Sequence, residues 1–198
     1  MKALKLLLAV VTVLAGSVLF AQKVEVDTKK SSVEWMGKKI GGQHEGFIQL
    51  KSGQLEIEDD QIIAGKFIVD MTSITVTDIE KPESNQKLVG HLKSDDFFGV
   101  NDYPTANFLI VKSSKFDQGK ARVEGDITIK GKTERISFDV IKTGNVYTTK
   151  IDIDRSNFDV RYGSNSFFDN LGDRAINDIF TLDIKLVTDT TSKDFTKK

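Results

Sequence analysis

Ala121-Arg122-Val123-Glu124-Gly125-Asp126-Ile127-Thr128-Ile129-Lys130, then Gly131-Lys132, then Ile136-Ser137-Phe138-Asp139-Val140, is the stretch that decides the fold class. Ala121, Val123, Gly125, Ile127 and Ile129 fall on one face of an extended chain, and charged or hydroxyl side chains take the other. That period of two belongs to a half-buried strand. Gly131-Lys132 supplies a tight turn, and Gly144-Asn145 turns the chain again into Tyr147, Ile151 and Ile153, giving a meander of hairpins. Phe180, Leu182, Ile184 and Leu186 alternate in a last strand. Earlier strands are predicted near 32–37, 42–51, 54–58, 62–71 and 105–114. One apolar and one polar face per strand points to antiparallel pairing, since parallel strands are buried on both sides. Closure into a barrel removes exposed edges; a two-sheet sandwich explains the alternation equally well.

Two stretches break the pattern. From Pro82 to Tyr103 alternation stops, Ser84-Asn85-Gln86 can start a helix, and Leu88, His91 and Leu92 share one helical face. From Asp154 to Asp173 the chain is irregular but holds Phe158, Tyr162, Phe167 and Phe168. Rings in such insertions either plug the end of a barrel or line a pocket for an apolar ligand. At the amino terminus, Lys2 and Lys5 precede an uncharged run from Leu6 to Phe20 and the small Ala21. This is the pattern of a secretory leader, residues 1–21, and predicts a periplasmic or secreted protein. A single domain is expected over 22–187, with a polar tail at 188–198.

Composition narrows the function. Among 198 residues, 28 Lys+Arg stand against 29 Asp+Glu, for a formal net charge of -1. No basic excess exists to neutralise a run of phosphates, so a nucleic-acid partner is not expected. With no cysteine there is no disulfide, thiolate metal site or cysteine nucleophile. Two histidines, His44 and His91, are too few for a His-rich zinc centre. No serine-hydrolase elbow or nucleotide-binding glycine loop occurs. No cofactor or metal is expected, apart from a bound lipid. His44 shares a face with Gly46, Ile48 and Leu50, so it is either a hydrogen-bonded core histidine or a polar anchor at the end of an apolar cavity. His91 either makes a hydrogen bond from the helix to the barrel or belongs to that polar end, and Arg155, just after a strand, is either a surface residue or a partner for a carboxylate or an anionic head group.

Gly90-His91-Leu92-Lys93-Ser94-Asp95-Asp96-Phe97-Phe98, followed by Tyr103-Pro104-Thr105-Ala106-Asn107-Phe108, resembles the central signature of the YceI-like, polyisoprenoid-binding family. Gly46-Phe47, Gly65 to Met71 with Ser73-Ile74, Val123 to Gly131, and Arg155-Ser156-Asn157-Phe158 match its other landmarks in order, over about residues 24 to 187. Val89-Gly90 stand where the family often has Arg-Asp, so a charge beside the helix is lost or left to Lys87 or Lys93. The resemblance implies an all-β fold: an extended antiparallel lipocalin-like barrel of about eight strands with a short helical insertion. It implies a non-enzymatic protein that binds and sequesters or transports a long-chain lipid, whether polyisoprenoid, isoprenoid quinone or fatty-acid-like, with transient membrane contact. The alternatives are a structural or interaction module of the envelope, or a lipid-directed enzyme. Oligomeric state stays open, a homodimer included. On this reading Trp35, Phe47, Phe67, Phe97, Phe98, Phe108, Phe138 and Phe158 line the pocket, and His44, His91 and Arg155 form its polar end.

Overall fold

The alternation resolves into β1 (Gln22–Glu25), β2 (Ser32–Lys39), β3 (Gly42–Glu58), β4 (Gln61–Asp70), β5 (Thr105–Ser113), β6 (Lys120–Ile129), β7 (Lys132–Thr143), β8 (Val146–Asp154) and β9 (Ile176–Val187). One α-helix, α1 (Pro82–Lys93), interrupts them. The computed structural model describes residues 21–189. Residues 1–20 of the expected leader and 190–198 of the expected tail lie outside the described residues.

Strands β2 to β9 form a ring in which every neighbour is antiparallel. β3 pairs with both β2 and β4, the meander continues from β4 to β9, and β9 closes on β2 through Val33↔Ile184 and Trp35↔Leu182. The sandwich alternative is thereby excluded. The ninth strand, β1, lies against the far half of β3 through Val24↔Leu55.

β3 makes this closure possible. In its first half the even-numbered Gly46, Ile48 and Leu50 are buried. The register then slips between Leu50 and Ser52, and the odd-numbered Gly53 and Leu55 are buried instead. An extra residue in one strand bends it and reverses the parity that faces the core. The two strands predicted at 42–51 and 54–58 are therefore one, and the Ser52-Gly53 break is a bulge.

Past Asp70, β4 gives way to an irregular strap that keeps following the edge of β3. Thr75 N–H donates to Phe47 O and Thr77 N–H to Glu45 O, each at 2.9 Å. The strap passes close over Gly46, where a Cβ would sit 1.9 Å from Thr75 O. That carbonyl also accepts the Trp35 indole N–H at 3.0 Å. Asn85 then fastens α1 to the strap by donating to Val76 O and Ile79 O. The helix begins at Pro82, two residues ahead of Ser84, because proline fits the first turn, where an N–H has no helical partner. Glu83 in the first turn and Lys93 in the last complement the helix dipole. Leu92 is buried, so the helix is anchored by the shared face predicted for it.

Gly46→Ala forces the strap off β3 and breaks the Trp35–Thr75 hydrogen bond. It is expected to cost about 3 kcal/mol of unfolding free energy in urea titrations, the upper range for overpacking. A change below about 0.5 kcal/mol would show that the strap is not held at Gly46.

Candidate functional site

Inward side chains from all eight ring strands leave a cavity of about 250 Å³ along the barrel axis. Ile176, Phe180, Leu182, Ile184 and Leu186 of β9 all border it. A strand rises roughly 3.3 Å per residue and tilts about 40° to the axis of a barrel, so the lumen runs on the order of 25 Å and is narrow. Opposite β9, Phe67, Phe108 and Phe138 form a row with ring centroids 6.3 and 5.5 Å apart. Gly125 makes room for that row, since a Cβ there would lie 2.4 Å from Phe108 Cζ.

Leu88, His91 and Leu92 of α1 border one end together with Phe97 and Phe98. The two rings meet edge-on at 5.0 Å, and Phe98 reaches Phe180 at 6.3 Å. Lys130 holds this segment. Its ammonium donates to Asp95 O at 3.0 Å and Phe97 O at 2.9 Å, with a longer 3.4 Å contact to Asp159 O. Near the β2–β3 hairpin the lining becomes polar and exposed, through Lys38 and Lys39 beside half-buried His44.

Nine of the eleven residues predicted as ligand-binding border this cavity: Trp35, His44, Phe67, His91, Phe97, Phe98, Phe108, Phe138 and Arg155. Phe47 and Phe158 do not. Phe47 lies on the odd face of β3 ahead of the bulge and is 43% exposed. Phe158 is fully buried in the 3-10 turn of Arg155–Phe158, away from the lumen. The sequence reading favoured rings and passed over most of the lining, which is aliphatic: Ile48, Leu50, Val123, Ile127, Ile151 and Leu182 among others. Their alternation carried the signal. Lys130 had none, because its partners are backbone carbonyls.

The three residues expected at the polar end differ in what they offer. His44 Nδ1 lies 2.8 Å from Asp78 Oδ2 and donates to it. Asp78 Oδ1 accepts the Glu45 N–H at 3.0 Å, so the pair ties the strap to the hairpin. Partial burial pushes the Asp78 carboxyl up, but the Glu45 N–H and the His44 ring outweigh it and hold the group below its ordinary value. The His91 ring meets Tyr162 at 4.3 Å and Phe97 at 5.7 Å, both edge-on. Arg155 is 2% exposed and its guanidinium is occupied. Nη1 donates to Val160 O and Tyr162 O, Nε to Asn177 O, and Nη2 to Ile176 O. Nη2 also lies 3.2 Å from Asp178 Oδ1. Burial lowers its pKa, and Asp178 and Asp154 offset part of that shift. Arg155 thus clamps the 155–162 turn to the start of β9, with its plane over Phe97 at 5.4 Å. Among the described residues no three His, Asp or Glu gather as metal ligands.

A closed antiparallel barrel around a long apolar lumen, capped by one short helix, defines a lipocalin-like protein. The YceI-like domain model matches residues 25–188, and the chain belongs to that family. A UPF0312 protein of Staphylococcus epidermidis is 39% identical over 77 residues, which are 37% of this chain and 42% of that protein. The chain thus matches less than half the length of this relative. Among solved structures, BcnA of Burkholderia cenocepacia aligns with a TM-score of 0.66 at 23% identity, over 82% of this chain and 98% of that one. A polyisoprenoid binding domain from Saccharophagus degradans, implicated in plant cell wall breakdown, aligns with a TM-score of 0.57 at 12% identity, over 84% and 97%. These two likenesses show the fold.

Arg155→Met leaves the carbonyls of Val160, Tyr162, Ile176 and Asn177 without their donor and Asp178 without its ion-pair partner. It is expected to destabilise the protein by about 3–5 kcal/mol in chemical denaturation. Arg155→Lys restores little, because an ammonium cannot span the fork of acceptors. Full rescue by lysine would contradict the clamp. Asp78→Ala is expected to cost about 1 kcal/mol at pH 6. Because the folded carboxyl titrates below 3.8, its contribution is full above that value and disappears as pH falls through the depressed pKa. Wild type and variant should therefore converge in stability at strongly acid pH; a constant difference would refute the Asp78 assignment.

Proposed function

We propose that the chain binds an amphipathic long-chain lipid inside the barrel, a polyisoprenoid, isoprenoid quinone or fatty-acid-like chain, and sequesters or carries it outside the cytoplasm. One observation carries this reading: a lumen bordered by all eight ring strands and walled almost wholly by aliphatic and aromatic side chains, on the order of 25 Å long once strand tilt is counted. Burying a CH₂ group is worth roughly 0.8 kcal/mol, so ten carbons contribute about 8 kcal/mol before the costs of ordering the chain. The likeness to a polyisoprenoid binding domain supports the same ligand class. A purely structural barrel would fill its interior with side chains, and this one leaves it open. A hydrolytic role would need convergent acids, or a nucleophile beside a histidine, inside the pocket, whereas no Asp or Glu is among the described residues bordering the lumen, His91 is flanked by the rings of Phe97 and Tyr162, and His44 is tied to Asp78.

Protein prepared from an envelope-expressing host without detergent should release a stoichiometric prenyl, quinone or acyl species on organic extraction, identified by mass spectrometry. Ala106 borders the lumen on β5. Ala106→Phe should weaken uptake of added lipid by on the order of tenfold, equivalent to about 1.4 kcal/mol. An empty protein that also refuses prenyl and fatty lipids would overturn the proposal.

A further inference from the structure

The barrel wall is not equally sealed all round. β6 and β7 pair along their full length, from Lys120↔Ile141 to Ile129↔Lys132, and β8 and β9 pair from Val146↔Val187 to Asp154↔Ile179. Between β7 and β8 the ladder holds for three pairs next to the turn, Ile141↔Thr148, Lys142↔Tyr147 and Thr143↔Val146. Beyond them residues 132–140 and 149–154 part. Continuing the register would set Phe138 opposite Ile151 and Ser137 opposite Asp152, but these residues form no ladder. Among the described residues the one side-chain hydrogen bond across the parted stretch runs from Thr149 Oγ1 to Asp139 O, at 2.7 Å.

A groove follows this parting on the outer surface. Its rim is polar, with Ser137 and Asp139 on one side and Thr148, Lys150 and Asp152 on the other. Its floor is shared with the lumen: Ile136, Phe138, Thr148, Thr149 and Ile151 border both the groove and the cavity. Elsewhere in the ring, passage through the wall would mean breaking a row of backbone hydrogen bonds. Here the partition is one layer of side chains.

We infer that the β7–β8 parting is a side door, through which an amphipathic chain slides laterally between the surface and the lumen while its polar end stays at the polar rim. The inference rests on the lipid-binding reading and adds the route. The hairpin end is the competing route. There His44 is tied to the strap by Asp78, and the neighbouring Phe97–Phe98 segment is held by Lys130. Both would have to move to widen that mouth, whereas the side door needs rotation of Phe138 and Ile151 and loss of one hydroxyl hydrogen bond.

The chain contains no cysteine, so an engineered pair is the sole thiol pair in the protein. Ser137→Cys with Asp152→Cys, joined after folding by a short bis-maleimide, staples the door. cis-Parinaric acid, a slender fluorescent acyl chain, reports binding and release by stopped flow. The staple is expected to slow both association and dissociation at least tenfold, whereas the same linker across a sealed seam, joining Lys66→Cys and Leu109→Cys on exposed positions of β4 and β5, leaves exchange at the wild-type rate. Unchanged rates in the stapled protein, with binding intact, would overturn the side door and leave lipid binding standing. No binding of cis-parinaric acid or of a competing prenyl alcohol by unmodified protein would instead overturn the lipid reading, and the door with it. A second variant needs no cross-link: Phe138→Leu thins the partition and should accelerate exchange several-fold. Unaltered exchange in that variant would equally count against the door.

Discussion

Everything in this molecule depends on the bulge at Leu50–Ser52. β3 is the strand that touches three others, and its two halves must both present apolar residues to the same lumen. A strictly alternating strand of this length would stay straight and meet only one curvature. By inserting one residue, the chain bends around the axis and changes which parity faces inward, so Leu50 and Leu55 are both buried. The bend lets β3 hold β2 along one edge and β4 along the other, and that double pairing turns a meander into a closed ring.

Closure then determines the chemistry. With the backbone polar groups engaged in ladders everywhere in the wall except along the β7–β8 parting, the lumen is lined by side chains that are almost all apolar. Two of the polar side chains that border it are already occupied. Arg155 is saturated by carbonyls of its own turn and of β9, and His44 is drawn to Asp78. A buried cation is tolerated because its donors are nearly all matched. Lys130 plays a similar part from the β6–β7 turn, where an ammonium holds the segment bearing two lumen rings. Charges at the margin of the lumen thus serve as fasteners.

Much of this was legible in the sequence, for identifiable reasons. The period of two survives in β6, β7 and β9 because each has one wet face, so strand positions and most of the lining followed from it. The same parity placed Phe47 opposite His44, and the structure puts Phe47 outside. The break at Ser52-Gly53 resembled a turn, since glycine and serine serve turns and bulges alike. Arg155 was visible as a residue of interest but not as a clamp, because backbone carbonyls leave no mark in a sequence. The His44–Asp78 pair joins positions 34 apart, through a strap whose path is set by what lies beneath it at Gly46. The emptiness of the lumen was beyond reach for a different cause. It is the small difference between barrel radius and summed side-chain volume, to which no single residue testifies.

The pairing of β2 with β9 has a consequence in time. Val33 lies against Ile184, so the ring cannot close until nearly the whole domain has been brought together. The hairpins β3–β4 and β6–β7 can form early, each across a two-residue turn, but the last ladder carries the loop-closure entropy of nearly the whole domain. Folds dominated by such distant contacts are expected to assemble in milliseconds to seconds rather than microseconds. During that interval the inward faces of β2 and β9 stand open to solvent, so the nascent barrel is most prone to association just before it is complete.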